Sequence, residues 1–320
     1  MRLATFNIES LDLPPDGVHP IAVRARVLRP LLERLEADVL CLQEVNGQHV
    51  PGVLGRRLAA LDQVLEGTAY AGYHRATTRS ARSDGVLDVH NLVTLSRFPI
   101  AAAAEVAHEL VAGPLWRPTT GSPPATERAE IRFDRPLLVT HLEVGANRLA
   151  VVNLHLRAPI AAPVPGQKLE ASVWRTTPGW AEGMFIAALK RGGQALELRL
   201  LIDRLLDEDP DRLIAVAGDF NAEDHDTALK LAIAAEEDTG SGLLASRAMV
   251  LLDRALPADR RWTMLHHSRR QMPDHILVTR ALYGRFRAIE VYNETLDDDA
   301  SGDDAPAGSS HAPLVATFDL

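Results

Sequence analysis

The sequence predicts an α+β fold in which strands dominate, and three observations carry that reading. Nine short apolar segments bounded by turn residues recur from end to end: LATFNI, DVLCLQEV, NLVTLSRF, PLLVTHLEV, RLAVVNLHL, RLIAVAGDF, DHILVT, FRAIEVY and APLVATFDL. Two stretches interrupt them with the spacing of a surface helix. Finally, 46% hydrophobic and 24% charged residues over 320 positions describe an ordinary globular chain that can bury a large core.

The first helical stretch runs from Ile21 to Glu36, with apolar positions at 21, 28, 31, 32 and 35. Pro30 falls inside it and should kink it or mark its true start, because proline lacks the N–H that an interior turn needs. The second runs from Ala181 to Leu206, with apolar positions at 185, 189, 196, 200, 201 and 205, and is weakened in its middle by Gly192 and Gly193. PLLVTHLEV and RLAVVNLHL flank the turn-rich GANR and read as a hairpin. Long Pro-, Gly-, Ser- or Asp-rich loops are predicted at 113–127, 159–180 and 293–310. None of them separates two composition regimes, so the expectation is a single domain over 1–320 with elaborated loops.

No apolar run approaches the roughly 18 residues that span a bilayer, and MRLATFNIES has no apolar signal-peptide core, so the predicted location is cytoplasmic, with no membrane and no obligate protein partner. The lone Cys41 lies within an apolar run and reads as a small buried thiol. A net charge of −9 argues against a surface that attracts nucleic acid everywhere. Arginines cluster at 24, 26 and 29, at 75, 79 and 82, and at 269 and 270, and clusters of this kind ordinarily form a solvated face. Trp174, Arg175 and Trp180 either line a substrate groove or pack locally.

Polar residues interrupt the strands at their ends. LIAVAGDFNAED closes an apolar strand with Asp219 and Asn221; Asn7 breaks TFNI, Glu44 ends LCLQE, His155 lies in VVNLHL, Asp274 precedes HILV, and His311 precedes the last strand. Taken alone, Asn221 also reads as the cap of a short helix. Burying a carboxylate beside such strands costs several kcal/mol unless a cation or hydrogen bonds compensate. If the strand ends converge, they supply oxygens for a hard cation, two imidazoles and an acid to orient one of them. That set suits metal-assisted attack of water on a phosphoester.

In this order FNI, LQEV, NLHL, GDFNAED, PDHILV and SSHAPLVATF resemble the endonuclease/exonuclease/phosphatase superfamily, with the deoxyribonuclease I-like fold, over essentially the whole chain. LSRFPI and FDRPLL are similar to the family as well. The resemblance implies a four-layer α/β/β/α sandwich of two mainly antiparallel sheets flanked by helices. It implies that Glu44 binds a divalent cation, Mg2+ with Mn2+ or Ca2+ as alternatives, with Asn7 beside it. Asp219 would align or deprotonate the water and Asn221 hold it. His155 and His311 would contact phosphate oxygens, Asp274 would fix His311, and Arg135 would bind substrate phosphate. The general base stays open between Asp219 and the His311–Asp274 pair.

One departure matters. The family carries Ser-Asp-His before its last strand, whereas this chain has Ser309-Ser310-His311, so Ser310 removes a charge from the metal position. An acid among Asp297, Asp298, Asp299, Asp303 and Asp304 is a possible replacement. His266-His267, His141 and His90 are left out of the site, and His275 should point away from Asp274 by the period of two. The leading function is hydrolysis of a phosphodiester, nucleic acid included. The alternatives are a monoesterase acting on a small phosphorylated metabolite, or a catalytically impaired binding module.

Overall fold

The computed structural model describes residues 1–14, 19–81, 84–296, 298 and 307–320, and within these twelve strands build two six-stranded sheets. In chain order they are β1 (Arg2–Leu11), β2 (Val39–Val45), β3 (His74–Thr77), β4 (Asn91–Ser96), β5 (Ile100–Val106), β6 (Leu137–Val144), β7 (Asn147–His155), β8 (Leu213–Asp219), β9 (Val250–Leu251), β10 (Asp274–Val278), β11 (Phe286–Val291) and β12 (Leu314–Phe318). The first sheet has the order β11-β12-β1-β2-β4-β3 and the second β9-β10-β8-β7-β6-β5. Each is antiparallel except for one parallel pair at its centre, β1 with β2 and β7 with β8.

Alternation along the central strands sorts side chains into layers. Ala4, Phe6 and Ile8 of β1 and Leu40 and Leu42 of β2 pack outward against α1 (Ile21–Leu35) and α2 (Ala59–Leu65). Ala150, Val152 and Leu154 of β7 and Ile214 and Val216 of β8 pack outward against α3 (Thr177–Glu208) and α4 (Thr227–Ile233). Leu3, Val39, Cys41, Leu149, Val151, Ala215 and Ala217 meet between the sheets. Central strands buried on both faces are why the segments read as continuous apolar runs. The four-layer sandwich is therefore the fold.

Several local expectations change. Helix α1 continues through Pro30, which lies on its exposed side. Helix α3 is longer than its periodicity suggested, and Phe185, Leu196 and Leu200 lie on its exposed side, while Leu198, Leu201, Ile202 and Leu205 face the sheet. Gly193 is required there, since a Cβ would lie 2.4 Å from the Phe133 ring. Asn221 caps no helix; α4 starts only at Thr227, after Asp226. The loops at 113–127 and 159–180 contain strand residues Leu115–Trp116 and Lys168–Glu170 with Val173–Trp174, and the last residues of the second already belong to α3. Trp174 packs locally with Ile186 and Val164. Half of the third loop, including Asp297, Asp299, Asp303 and Asp304, lies outside the described residues, as does Arg82.

One irregularity positions the site. Leu42 pairs with Val93 but Val45 with Asn91, so β2 carries one residue more than β4 across a bulge. Asn153, on the inner face of β7, reaches across from the other sheet: its Nδ2 donates to Leu42 O at 3.2 Å and Val93 O at 3.0 Å, and its Oδ1 accepts from Gln43 Nε2 at 2.8 Å. Gln43 and Asn153 are fully buried. Replacing Asn153 by leucine strands two carbonyls and an amide, so urea unfolding of Asn153→Leu is expected to show a loss of about 2–4 kcal/mol; a loss below about 0.5 kcal/mol would mean the bulge needs no partner.

Candidate metal and catalytic centre

The parallel pairs run in the same sense within each sheet, so β1 and β2, like β7 and β8, end together. His155 pairs with Asp219 and Asp219 with Asp274 in register, and His311 lies just before β12 at an isolated bridge to Met264. Period two places Asn7, His155, Asp219 and Asp274 on the inner faces, beyond Thr5, Asn153, Ala217 and Ile276. Glu44 would point outward with Leu40 and Leu42. The bulge and a left-handed backbone at Glu44 (φ 60°) turn it back into the site. Among the described residues ten non-glycine positions have positive φ, and Glu9, Ser10, Glu44, His90 and Asn221, half of them, gather here.

Hydrogen bonds join the set. Asn7 Nδ2 donates to Asp219 Oδ2 at 3.0 Å and Glu44 Oε1 at 3.4 Å, while its Oδ1 accepts from Glu9 N–H at 3.0 Å. Asn7 thus bridges two carboxylates and keeps its oxygen for the backbone. Ser10 donates to Glu44 Oε2 from both N–H and Oγ–H at 3.1 Å. Asn221 donates its N–H to Asp219 Oδ1 at 2.8 Å and its Nδ2–H to Leu156 O. Arg135 donates to the same carbonyl, beside Glu44 and Asp219, and Gln194 holds its own carbonyl. His155 Nε2 lies 3.3 Å from Asp219 Oδ2 and 3.7 Å from Glu44 Oε1. Asp274 Oδ2 sits 2.7 Å from His311 Nδ1 and accepts from Thr263 Oγ at 2.7 Å.

Charge states follow from this packing. Burial opposes protonation of His311, but the Asp274 carboxylate, with Asp219 and Glu44 behind it, raises its pKa to about 10. Burial drives His155 well below its ordinary value, assisted by Arg135, so it is neutral. Of the two histidines expected at the phosphate, His311 alone carries charge. Burial and the nearby Asp274 push Asp219 up from the usual carboxylate range. Burial also works to raise Glu44, but His90, Arg135 and His311 outweigh it and hold it below its ordinary value. The Cys41 thiol, raised to about 12 by burial, takes no part.

Two residues that the sequence reading left out are present. His90 Nδ1 stands 3.8 Å from Glu44 Oε2, with its ring edge-on to His155 at 6.1 Å. Its signal was available, since His90 precedes the apolar NLVTLS as Asp274 precedes HILV. Glu9 brings Oε2 to within 2.6 Å of Ser310 N, so an acid reaches this position from β1, two residues after Asn7. Asp298 instead accepts from Ser268. His275 does point away from Asp274, to Asp253 and Ala222 O. Arg24 is buried and clamps Ile8 O and Glu9 O rather than forming a solvated face.

Two trios bring one ligand atom each within 4.8 Å of one another: Glu44, His90 and His155, and Asp219, Asp274 and His311. In the second the imidazolium Nδ1 is committed to Asp274, so the first is the better-formed divalent-cation cluster. His90 Nδ1, the ring nitrogen on the Glu44 side, is buried without a hydrogen-bond partner among the described residues, as an atom awaiting an ion would be.

Residues 4–295 match the model of the Endonuclease/Exonuclease/phosphatase family. The chain belongs to this family. No significant match was found among curated proteins. Among solved structures the family fold recurs in a truncated Caenorhabditis elegans TDP2, 12% identical, covering 100% of this chain and 97% of that one with a TM-score of 0.57. D. rerio TDP2 complexed with single strand DNA product is 16% identical, with 100% and 99% coverage and a TM-score of 0.55. The 3′ phosphatase NExo from Neisseria bound to product DNA hairpin is 17% identical, with full coverage of both chains and a TM-score of 0.52. The protein is thus a member of a metal-dependent phosphoesterase and nuclease superfamily with a divalent-cation ligand cluster in place. Among the described residues no helix is long and apolar enough to cross a membrane.

The His311–Asp274 pair makes stability depend on pH. A histidine whose folded pKa is raised from 6.5 to about 10 stabilises fully below pH 6.5, and that contribution is lost as pH rises through 10. In EDTA, the wild-type advantage over Asp274→Asn in urea unfolding should be largest below pH 6.5, on the order of several kcal/mol, and fade as pH rises through about 10. A difference independent of pH would mean the pair is not an ion pair.

Proposed function

We propose that this protein, acting through a single domain, hydrolyses a phosphodiester with a divalent ion by direct attack of water. The observation that carries the proposal is the opposition of Asp219 and His311. They lie within 4.8 Å, one an acid raised toward neutrality and the other an imidazolium. A carboxylate with a raised pKa is a better base, and a histidine locked as a cation is a poor one but a strong phosphate partner. This favours Asp219 as the group that aligns and deprotonates water, steadied by Asn7 and the Asn221 N–H. His311, held by Asp274, then faces the oxygens that gain charge, and Arg135 binds the phosphate from the Glu44 side. A divalent ion held at Glu44 supplies neutralisation of phosphate charge and eases ionisation of water.

A groove of about 580 Å³ opens beside Asn221, with Pro159, Ile160 and Met264 on its apolar side and two acids, Glu223 and Asp226, with two histidines, His225 and His266, in its polar lining. Similar structures hold a single strand DNA product and a product DNA hairpin, which keeps nucleic acid within the reading. The net charge of −9 disfavours tight binding of a long duplex and keeps a second reading, a small phosphomonoester, beside the first.

Bis(4-nitrophenyl) phosphate with Mg2+ or Mn2+ is the direct test. Asp219→Ala and His311→Ala should each lower kcat about 10²–10⁴-fold with the fold intact by circular dichroism. EDTA should abolish turnover. Either variant retaining more than about a third of the wild-type rate would remove the residue from the reaction.

A further inference from the structure

We propose that the centre at Glu44 is a mixed nitrogen and oxygen site, ligated by His90 and His155 together with Glu44, and that it selects Mn2+ or a later transition ion over Mg2+. The ligand atoms of the three residues lie within 4.8 Å of one another, a separation that one ion can bridge. Glu44 faces an imidazole with each oxygen: Oε1 is 3.7 Å from His155 Nε2 and Oε2 is 3.8 Å from His90 Nδ1. His90 Nδ1 is buried without a hydrogen-bond partner, although it points at that carboxylate. His155 is 2% exposed and turns Nε2 into the site, 3.7 Å from Glu44 Oε1 and 3.3 Å from Asp219 Oδ2.

The chain spends structure on placing His90. The residue is held at φ 56°, a conformation uncommon outside glycine. Its N–H donates to Asn46 Oδ1 at 3.0 Å. The next residue, Asn91, is fully buried and ties the segment down: Oδ1 accepts from Leu87 N–H and Thr78 Oγ–H, and Nδ2 donates to Val45 O and Leu87 O. These bonds fasten the turn before β4 to the end of β2, one residue past Glu44. Such support is what an orienting shell gives a metal-ligating histidine.

Donor chemistry then fixes the preference. Mg2+ takes oxygen ligands in a near-ideal octahedron and retains its waters, whereas imidazole suits the transition ions. Asn7 does not restore an oxygen set, since its amide nitrogen faces Glu44 and its oxygen is taken by Glu9 N–H. This inference rests on the proposed phosphoesterase reading only for the use made of the ion.

The test is titration calorimetry of the metal-free full chain with Mn2+ and Mg2+ alone, with pulsed EPR of the Mn2+ form to detect imidazole nitrogen. Wild type should bind Mn2+ at least about tenfold more tightly than Mg2+, with nitrogen coupling from two histidines. His90→Ala, and His90→Asn should alanine fail to fold, should weaken Mn2+ about tenfold or more, leave Mg2+ within about threefold, and remove one of the two couplings. Equal loss for both ions, or Glu44-dependent binding without nitrogen coupling, overturns the histidine ligation and leaves the phosphoesterase reading standing. Binding of both ions unchanged in Glu44→Gln removes the cation site itself, and the proposed function with it.

Discussion

The structure depends on an unpaired stretch of backbone. Where β2 passes Gln43 and Glu44 it carries one residue too many for its partner β4, and Leu42 O and Val93 O are left for a side chain to satisfy. Asn153 supplies that bond from the opposite sheet, in a place with no water to replace it. The bond fixes the two sheets at one register exactly behind the site, and the bulge it stabilises reverses the direction of Glu44. Without the extra residue, Glu44 would follow Leu40 and Leu42 into the layer packed by α1 and α2.

What was legible followed from burial. A strand covered on both faces must be apolar throughout, so the central segments announced themselves, and a polar residue at the end of such a strand was conspicuous. The strand β5 was not legible, because IAAAAEV is largely exposed and alanine favours helix; its pairing with β6 decides the conformation. Pro30 misled because its exposure was invisible in sequence. Arg24 was read as solvated, yet it serves the carbonyls of the turn at Ile8 and Glu9.

The site was legible as a set of strand ends and not as a geometry. Asn7, Glu44, His155, Asp219, Asp274 and His311 do meet, because two central parallel pairs end at one edge and the neighbouring antiparallel strands begin there. His90 was weighed and set aside, and Glu9 was not considered, since the part each plays depends on left-handed backbone, which no periodicity encodes. The acid absent at Ser310 likewise arrives from a distant strand, and only a register can reveal that.

Charge accounts for the remaining design. Glu44, Asp219 and Asp274 are withdrawn from water, and the cations packed among them are Arg135 and His311. His311 is matched by Asp274 at 2.7 Å, which leaves Arg135 between Glu44 and Asp219. One guanidinium cannot compensate two buried carboxylates, and Asp219 answers by holding its proton more tightly. A divalent ion beside Glu44 would correct that deficit and make Asp219 a carboxylate when the centre is loaded. Under the proposed mechanism the cation would thereby favour the carboxylate form of Asp219, whose proton burial and Asp274 alone hold more tightly.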